Sequence, residues 1–179
     1  IARVRFVLTS RTFVEKAGLQ SVVEHLDRPV LYIEDLRASL GLVDKLWIAM
    51  GLLAPDQVLP KIRGDATAVV LFTSGSEGAP KAVALSHRAL LSNIDQILDA
   101  LDLTPSHVIF NALPIFHSFG LTAGALLPAL LGMRSVMYIS PMHYKEIPKQ
   151  IAKSQATILF GTSSFFMQYA KNSEPEDLQ

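Results

Sequence analysis

A chain of 179 residues has the length of one domain or of a piece of a larger one, and with half of its residues hydrophobic and 18% charged it can build a sizeable core. Sixteen basic residues balance sixteen acidic ones without blocks of either sign, which leaves no electrostatic basis for binding nucleic acid or a strongly anionic membrane surface. Cysteine is absent, so disulfides, thiolate nucleophiles and zinc-cysteine centres are excluded together, and a reducing cytoplasm is compatible with the composition.

The opening IARVRFVLTS has no initiator methionine and no signal-peptide organisation, and it reads as a start inside a longer protein. The polar KNSEPEDLQ at the other end reads as a loop leading onward. The longest apolar run, Phe119 to Met133, contains Pro128 and falls short of the roughly 20 residues that span a bilayer, so no transmembrane segment is expected here.

In chain order, Val4 to Leu8 predicts a short strand, and Thr9-Ser10 can end it and cap a helix over about Thr12 to Leu26, weakened by Gly18. Pro29 to Ile33 predicts a second strand. From Leu36 to Leu53 apolar residues recur at helical spacing, which predicts a helix between Arg37 and Leu53, with Trp47 on its apolar stripe as a core or contact residue. Gln57 to Asp65 is a connector. Thr67 to Thr73 is almost wholly apolar and β-favouring, the pattern of a strand buried on both faces.

That run ends abruptly at Ser74-Gly75-Ser76-Glu77-Gly78-Ala79-Pro80-Lys81, in which nothing can fill a core. Its glycines permit tight turns, its hydroxyls and free N–H groups can donate to an anion, and Pro80 restrains the segment that carries Lys81. The competing reading is an ordinary surface loop.

Ser86 suits the N-cap of a helix from His87 to about Ala100. Thr104-Pro105 turns into a strand around Val108-Ile109-Phe110 with Ala112 and Leu113. A second unusual loop, Pro114 to Gly120, leads into an apolar helix over about Leu121 to Leu131 that Gly132 closes. Ser135 to Ile139 predicts a strand. His143 to Ala152 is helical in character, with a break expected at Pro148, and Ala156 to Phe160 is a strand that Gly161-Thr162-Ser163-Ser164 turns into a last helix ending near Lys171. The alternation predicts an α/β fold, a mainly parallel sheet flanked by helices on both sides. Both unusual loops follow strands and would open at one edge of the sheet if those strands run parallel.

Several phosphate and catalytic motifs fail on spacing. Gly75-x-x-Gly78 is not a dinucleotide fingerprint, and Lys81 between Pro80 and Ala82 is not a Walker lysine. A G-x-S-x-G elbow, a metal-spaced histidine cluster and an H-x-x-x-x-D acyltransferase motif are also missing. His25, His87, His107 and His143 have no partner pattern.

The segment TSGSEGAPKAVALSH resembles the first phosphate-binding motif of the adenylate-forming, or AMP-binding, superfamily, which includes acyl- and aryl-CoA synthetases, peptide-synthetase adenylation domains and luciferases. LPIFHSFG resembles that superfamily's next motif, in the same order and at a similar separation. Within it, TSGSEG, LPIFHSFGLT and LFGTSSFF look most like the bacterial bifunctional acyltransferase/acyl-[acyl-carrier-protein] synthetases, which re-acylate lysophosphatidylethanolamine. Two positions depart from the usual pattern. Glu77 stands where many members have threonine, and Ala82 replaces the glycine after the lysine.

The resemblance implies ATP and Mg²⁺ as cofactors, with Thr73, Ser74, Gly75, Ser76, Glu77, Gly78 and Lys81 around the phosphates. It implies His117 and Lys81 as catalytic residues, with His117, Phe116, Phe119, Gly161 and Thr162 facing the acyl substrate. For Gly161 and Thr162 a strand-end turn and helix cap is an equally good reading, and for His117 a loop-satisfying histidine is the competing one. The implied partners are a fatty acid, acyl carrier protein and lysophosphatidylethanolamine, at the cytoplasmic face of the bacterial inner membrane. The superfamily's Tyr-Gly-x-Thr-Glu segment, ribose-binding aspartate and C-terminal catalytic lysine have no counterpart here, nor does an acyltransferase part. The 179 residues are therefore expected to be a single α/β fragment of the large N-terminal adenylation domain, inactive alone and prone to self-association. A CoA ligase of the same superfamily and a non-catalytic α/β interaction module are the alternatives.

Overall fold

The computed structural model describes residues 4–73 and 80–178. The chain divides into two compact units, residues 1–63 and 64–179.

In the first unit a parallel pair, β1 (Val7–Thr9) and β2 (Val30–Tyr32), is linked by two short helices, α1 (Arg11–Lys16) and α2 (Gln20–Glu24). The single helix expected over Thr12 to Leu26 is divided at Gly18, whose φ of +64° is a left-handed value that ends a helix at little cost only for glycine. Ser10 caps α1 by accepting from the Phe13 amide at 3.0 Å. The Arg11 guanidinium lies 4.1 Å from the Tyr32 ring centroid and pairs with Asp35, whose carboxyl is held below its ordinary range by that hydrogen bond. The second expected helix is likewise divided, into α3 (Ile33–Ser39) and α4 (Leu42–Leu53), because Leu40 and Gly41 take extended conformations. A single turn, α5 (Pro55–Val58), follows with proline in its first turn. The apolar stripe of α4 lies open, with Trp47 55% exposed.

The second unit carries the core. β5 (Val108–Asn111) is the centre of a three-stranded parallel sheet, between β6 (Arg134–Met137) and β7 (Ile158–Leu159). Successive side chains of β5 enter opposite layers, as strand geometry requires. Ile109 packs with Ile94, Leu127 and Met133 on one face, while Phe110 packs with Ala112, Ile147 and Tyr169 on the other. The first layer belongs to α6 (His87–Ala100) and α8 (Leu127–Leu131), the second to α9 (Glu146–Ser154) and α10 (Ser163–Asn172). Ser86 caps α6 through the Ala89 amide at 3.1 Å, as its position predicts, and Gly132 closes α8 with φ +65°. Pro148 does not break α9. It occupies the first turn, where a missing N–H costs no helical bond.

The strand with both faces buried is β5, and not the run beginning at Thr67. That run forms β3 (Thr67–Thr73), which is half-buried to exposed and pairs antiparallel with β4 (Lys81–Ser86). An unbroken apolar run cannot distinguish coverage on two faces from coverage on one, because coverage is a tertiary property. β4 is absent from the sequence-based expectation because Lys81-Ala82-Val83-Ala84 follows a glycine-rich loop and has only small residues between its branched ones. Among the described residues no ladder joins β3 and β4 to the parallel sheet, so the expected single sheet edge is replaced by two separate sheets.

Candidate functional site

The end of β3 and the loop after β5 meet in one cleft of about 410 Å³, lined by Leu71, Phe72, Thr73, Val83 and Leu85 on one side and Phe116, His117 and Ser118 on the other. The strand end that leads into the first unusual loop thus lies beside the second, although the two strands belong to different sheets. Thr73 and Lys81 are the last pair of the β3–β4 ladder, and the Thr73 hydroxyl lies 3.5 Å from the Lys81 carbonyl oxygen. The ladder therefore brings the two ends of the first loop side by side and sets an exposed ammonium at its exit. Ser74, Gly75, Ser76, Glu77 and Gly78 lie outside the described residues.

The second loop folds back on itself. The His117 amide donates to the Pro114 carbonyl at 3.0 Å, and His117 caps the short helix α7 (Ser118–Leu121), its Nδ1 accepting from the Phe119 amide at 3.4 Å. An accepting Nδ1 leaves Nε2 as the ring nitrogen that can donate. His117 is exposed at the cleft, and Phe116 is 78% exposed beside it. Phe119 is not among the cleft-lining residues and meets Phe160, ring centroids 5.7 Å apart. That contact ties the second loop to the residue before Gly161.

Gly161 and Thr162 form the turn between β7 and α10. A methyl group on Gly161 would lie 3.0 Å from Cε1 of Phe166, so the glycine admits that ring. Thr162 is the N-cap residue of α10, with its hydroxyl 2.8 Å from the Ser164 hydroxyl. Both residues occupy the positions of the turn-and-cap reading, although the Thr162 hydroxyl makes no capping bond to the α10 backbone, and neither lines the cleft of Thr73 and His117.

Sequence reasoning missed Asn111. It is the last residue of β5, 1% exposed, and it interrupts an otherwise apolar strand just before LPIFHSFG. A lone amide closing a buried strand was the available signal. Val83 and Leu85 were missed with the rest of β4.

The cleft combines a hydroxyl, an imidazole and apolar walls, and the exposed Lys81 is the ladder partner of its Thr73, a donor set suited to a phosphate ester beside an apolar group. Among the described residues no cluster of three or more histidine, aspartate or glutamate side chains is placed to hold a metal. No helix among them is long and apolar enough to cross a membrane.

A model of the AMP-binding enzyme family matches residues 2–179. The long-chain-fatty-acid–CoA ligase of Salmonella typhimurium is 29% identical over 124 residues, 68% of this chain and 22% of that protein. The medium-chain fatty-acid–CoA ligase of Escherichia coli strain K12 is 36% identical over 104 residues, 53% of this chain and 18% of that protein. The crystal structure of a fatty acyl-adenylate ligase from L. pneumophila, in complex with acyl adenylate and pyrophosphate, superposes with a TM-score of 0.70 at 26% identity, covering 97% of this chain and 28% of the other. The chain spans about a fifth of the length of the curated relatives it matches.

Proposed function

The chain belongs to the AMP-binding enzyme family, and on that premise we propose that it supplies the phosphate-binding and acyl-facing walls of an enzyme that activates a fatty acid as its adenylate. The observation that carries this reading is the cleft in which Thr73, at the mouth of the glycine-rich loop, faces Phe116 and His117. In the proposed reaction a carboxylate oxygen attacks the α-phosphorus of ATP. A new C–O–P linkage forms, the α–β phosphoanhydride breaks, and pyrophosphate leaves.

Lys81 and the hydroxyl of Thr73, with Ser74, Gly75, Ser76 and Gly78, would hold the departing phosphates, Lys81 as a compact charge and the others as directional donors. Glu77 cannot donate to phosphate and would point away from it or meet Mg²⁺ or a basic group. Mg²⁺ would arrive with the nucleotide, held largely by phosphate oxygens and water, as this ion commonly is. His117 would donate Nε2–H toward the α-phosphate or the acyl carboxylate, with Phe116 and Phe119 shaping the apolar approach. Gly161 and Thr162 would bound the acyl pocket from the β7–α10 turn.

A thiol then attacks the acyl carbon, AMP leaves, and the thiol proton passes to solvent or base. For that thiol the motif wording TSGSEG, LPIFHSFGLT and LFGTSSFF favours acyl carrier protein, in an enzyme that re-acylates lysophosphatidylethanolamine at the cytoplasmic membrane face. CoA is the second reading, supported by the names of the relatives. In either case the adenine-binding and C-terminal catalytic elements would lie outside these 179 residues, and the isolated chain is proposed not to turn over.

The test is fatty-acid-dependent exchange of pyrophosphate into ATP by the full-length protein, followed by trapping with acyl carrier protein or CoA. Exchange with fatty acids that falls at least 100-fold in Lys81→Ala or His117→Ala is the expected result. Absence of exchange with any carboxylic acid would overturn the reading, and the preferred thiol decides between the two acceptors.

A further inference from the structure

We infer that Asn111 is a positioning residue that sets the second loop, and through it His117, in working geometry; its catalytic consequence rests on the function proposed above. Loop 113–120 is held at both ends by this one carboxamide. Oδ1 accepts from the Leu113 amide at 3.0 Å, where the loop leaves β5, and Nδ2 lies 3.4 Å from the Gly120 carbonyl, where the loop enters helix. Nδ2 also lies 3.7 Å from Met137 Sδ on β6. The backbone carbonyl of Asn111 accepts from the Tyr138 amide at 2.8 Å, which fixes the residue in the sheet. A group that must accept at one end and donate at the other has to be an amide or a close mimic.

The surroundings are built around it. A Cβ on Gly124 would overlap the Asn111 carboxamide, so the space that the side chain fills exists because residue 124 is glycine. Gly124 lies in a π-helical turn, Thr122–Leu126, between α7 and α8, and such turns are rare and often accompany functional sites. The Gly124 carbonyl accepts from the Ser135 hydroxyl at 3.1 Å. A Cβ on Gly120 would run into the carbonyls of Pro114 and Leu113, so the loop closes as tightly as it does only with glycine there. Asn111, Gly120 and Gly124 thus form one clamp. Its output is the position of His117, whose amide and carbonyl are bonded to Pro114 and Leu121 within the clamped segment.

The test pairs Asn111→Leu, which keeps the branched shape at greater volume and loses both bonds, with Asn111→Ser, a smaller side chain whose hydroxyl can accept from Leu113 without spanning to Gly120. Proton–nitrogen spectra of the His117 ring in the full-length protein report its tautomer directly. The wild-type ring is expected as the Nε2–H form, and both variants are expected to mix tautomers and to lose at least 10-fold in amide-exchange protection at Leu121. In the full-length enzyme kcat for adenylate formation is expected to fall at least 10-fold in Asn111→Ser, with KM for ATP changed less than threefold. A folded Asn111→Ser protein with an unchanged His117 tautomer and unchanged kcat, whatever its melting temperature, would overturn the proposal. If the wild-type enzyme shows no exchange with any acid, the functional reading fails, while the ring spectra still decide whether the clamp exists.

Discussion

At the scale of one residue, the same missing methyl group carries unequal weight at two glycines. The carbon added by Gly161→Ala would press on Phe166, a ring 40% exposed and free to swing outward, so the variant is expected to lose less than about 1 kcal/mol in urea unfolding. The carbon added by Gly124→Ala would meet the Asn111 carboxamide inside the core, where nothing can give, and about 1–3 kcal/mol or more is expected in the same measurement. Tyr169 supplies a third residue-scale test. Its hydroxyl donates to the Pro141 carbonyl at 2.8 Å, and burial, aided by the nearby Tyr144, pushes its pKa from 10.0 up to about 12. Between those values the unfolded phenol has lost its proton while the folded one keeps it. The stability that Tyr169 contributes is therefore present below pH 10 and is lost as pH rises toward 12. Tyr169→Phe is expected to be less stable at neutral pH and to show a flatter decline over that window, followed by denaturant midpoints at successive pH values.

At the scale of elements, α6 is the helix most fully legible in the sequence. A serine cap, a stripe that includes Leu90 and Ile94, and freedom from glycine and proline all agree, and its bounds are those expected. Ser86→Ala, which removes the acceptor for the Ala89 amide, is expected to cost ~1 kcal/mol in thermal or urea unfolding. Elements with conflicting signals were less legible. Gly18 and Gly41 sit inside apolar stripes that continue past them, so periodicity joined what backbone conformation divides. Pro148 reads as a breaker in the sequence because its distance from the helix start is invisible until the start is known. Much of the candidate site was readable, since Thr73 and Lys81 flank a run whose composition has no use in a core, and Phe116 and His117 lie in a loop whose wording resembles a known motif. Asn111 was not, because its work is done on backbone groups that only the fold brings to it.

At the scale of the molecule, α4 presents Leu42, Val43, Leu46 and Trp47 to solvent, each more than half exposed. A stripe of that kind is costly to leave in water and favours association of the chain with itself. Trp47 is the single tryptophan of the sequence and so reports on that surface alone. Dilute chain is expected to emit as a water-exposed indole, open to acrylamide quenching, with a blue shift and loss of quenching as concentration rises. Emission that stays red at all concentrations, with a monomeric mass in sedimentation, would count against self-association through α4.

The antiparallel pairing of Thr73 with Lys81 has a consequence for how the glycine-rich segment can vary. With its two ends fixed as ladder partners, the distance the segment must close is set by the sheet and not by its own length. Lengthening a loop between fixed ends costs only a logarithm, about 0.6 kcal/mol for each doubling. Residues can therefore be inserted or exchanged between these anchors while Lys81 keeps its place opposite Thr73, and the composition of the segment is free to follow the ligand.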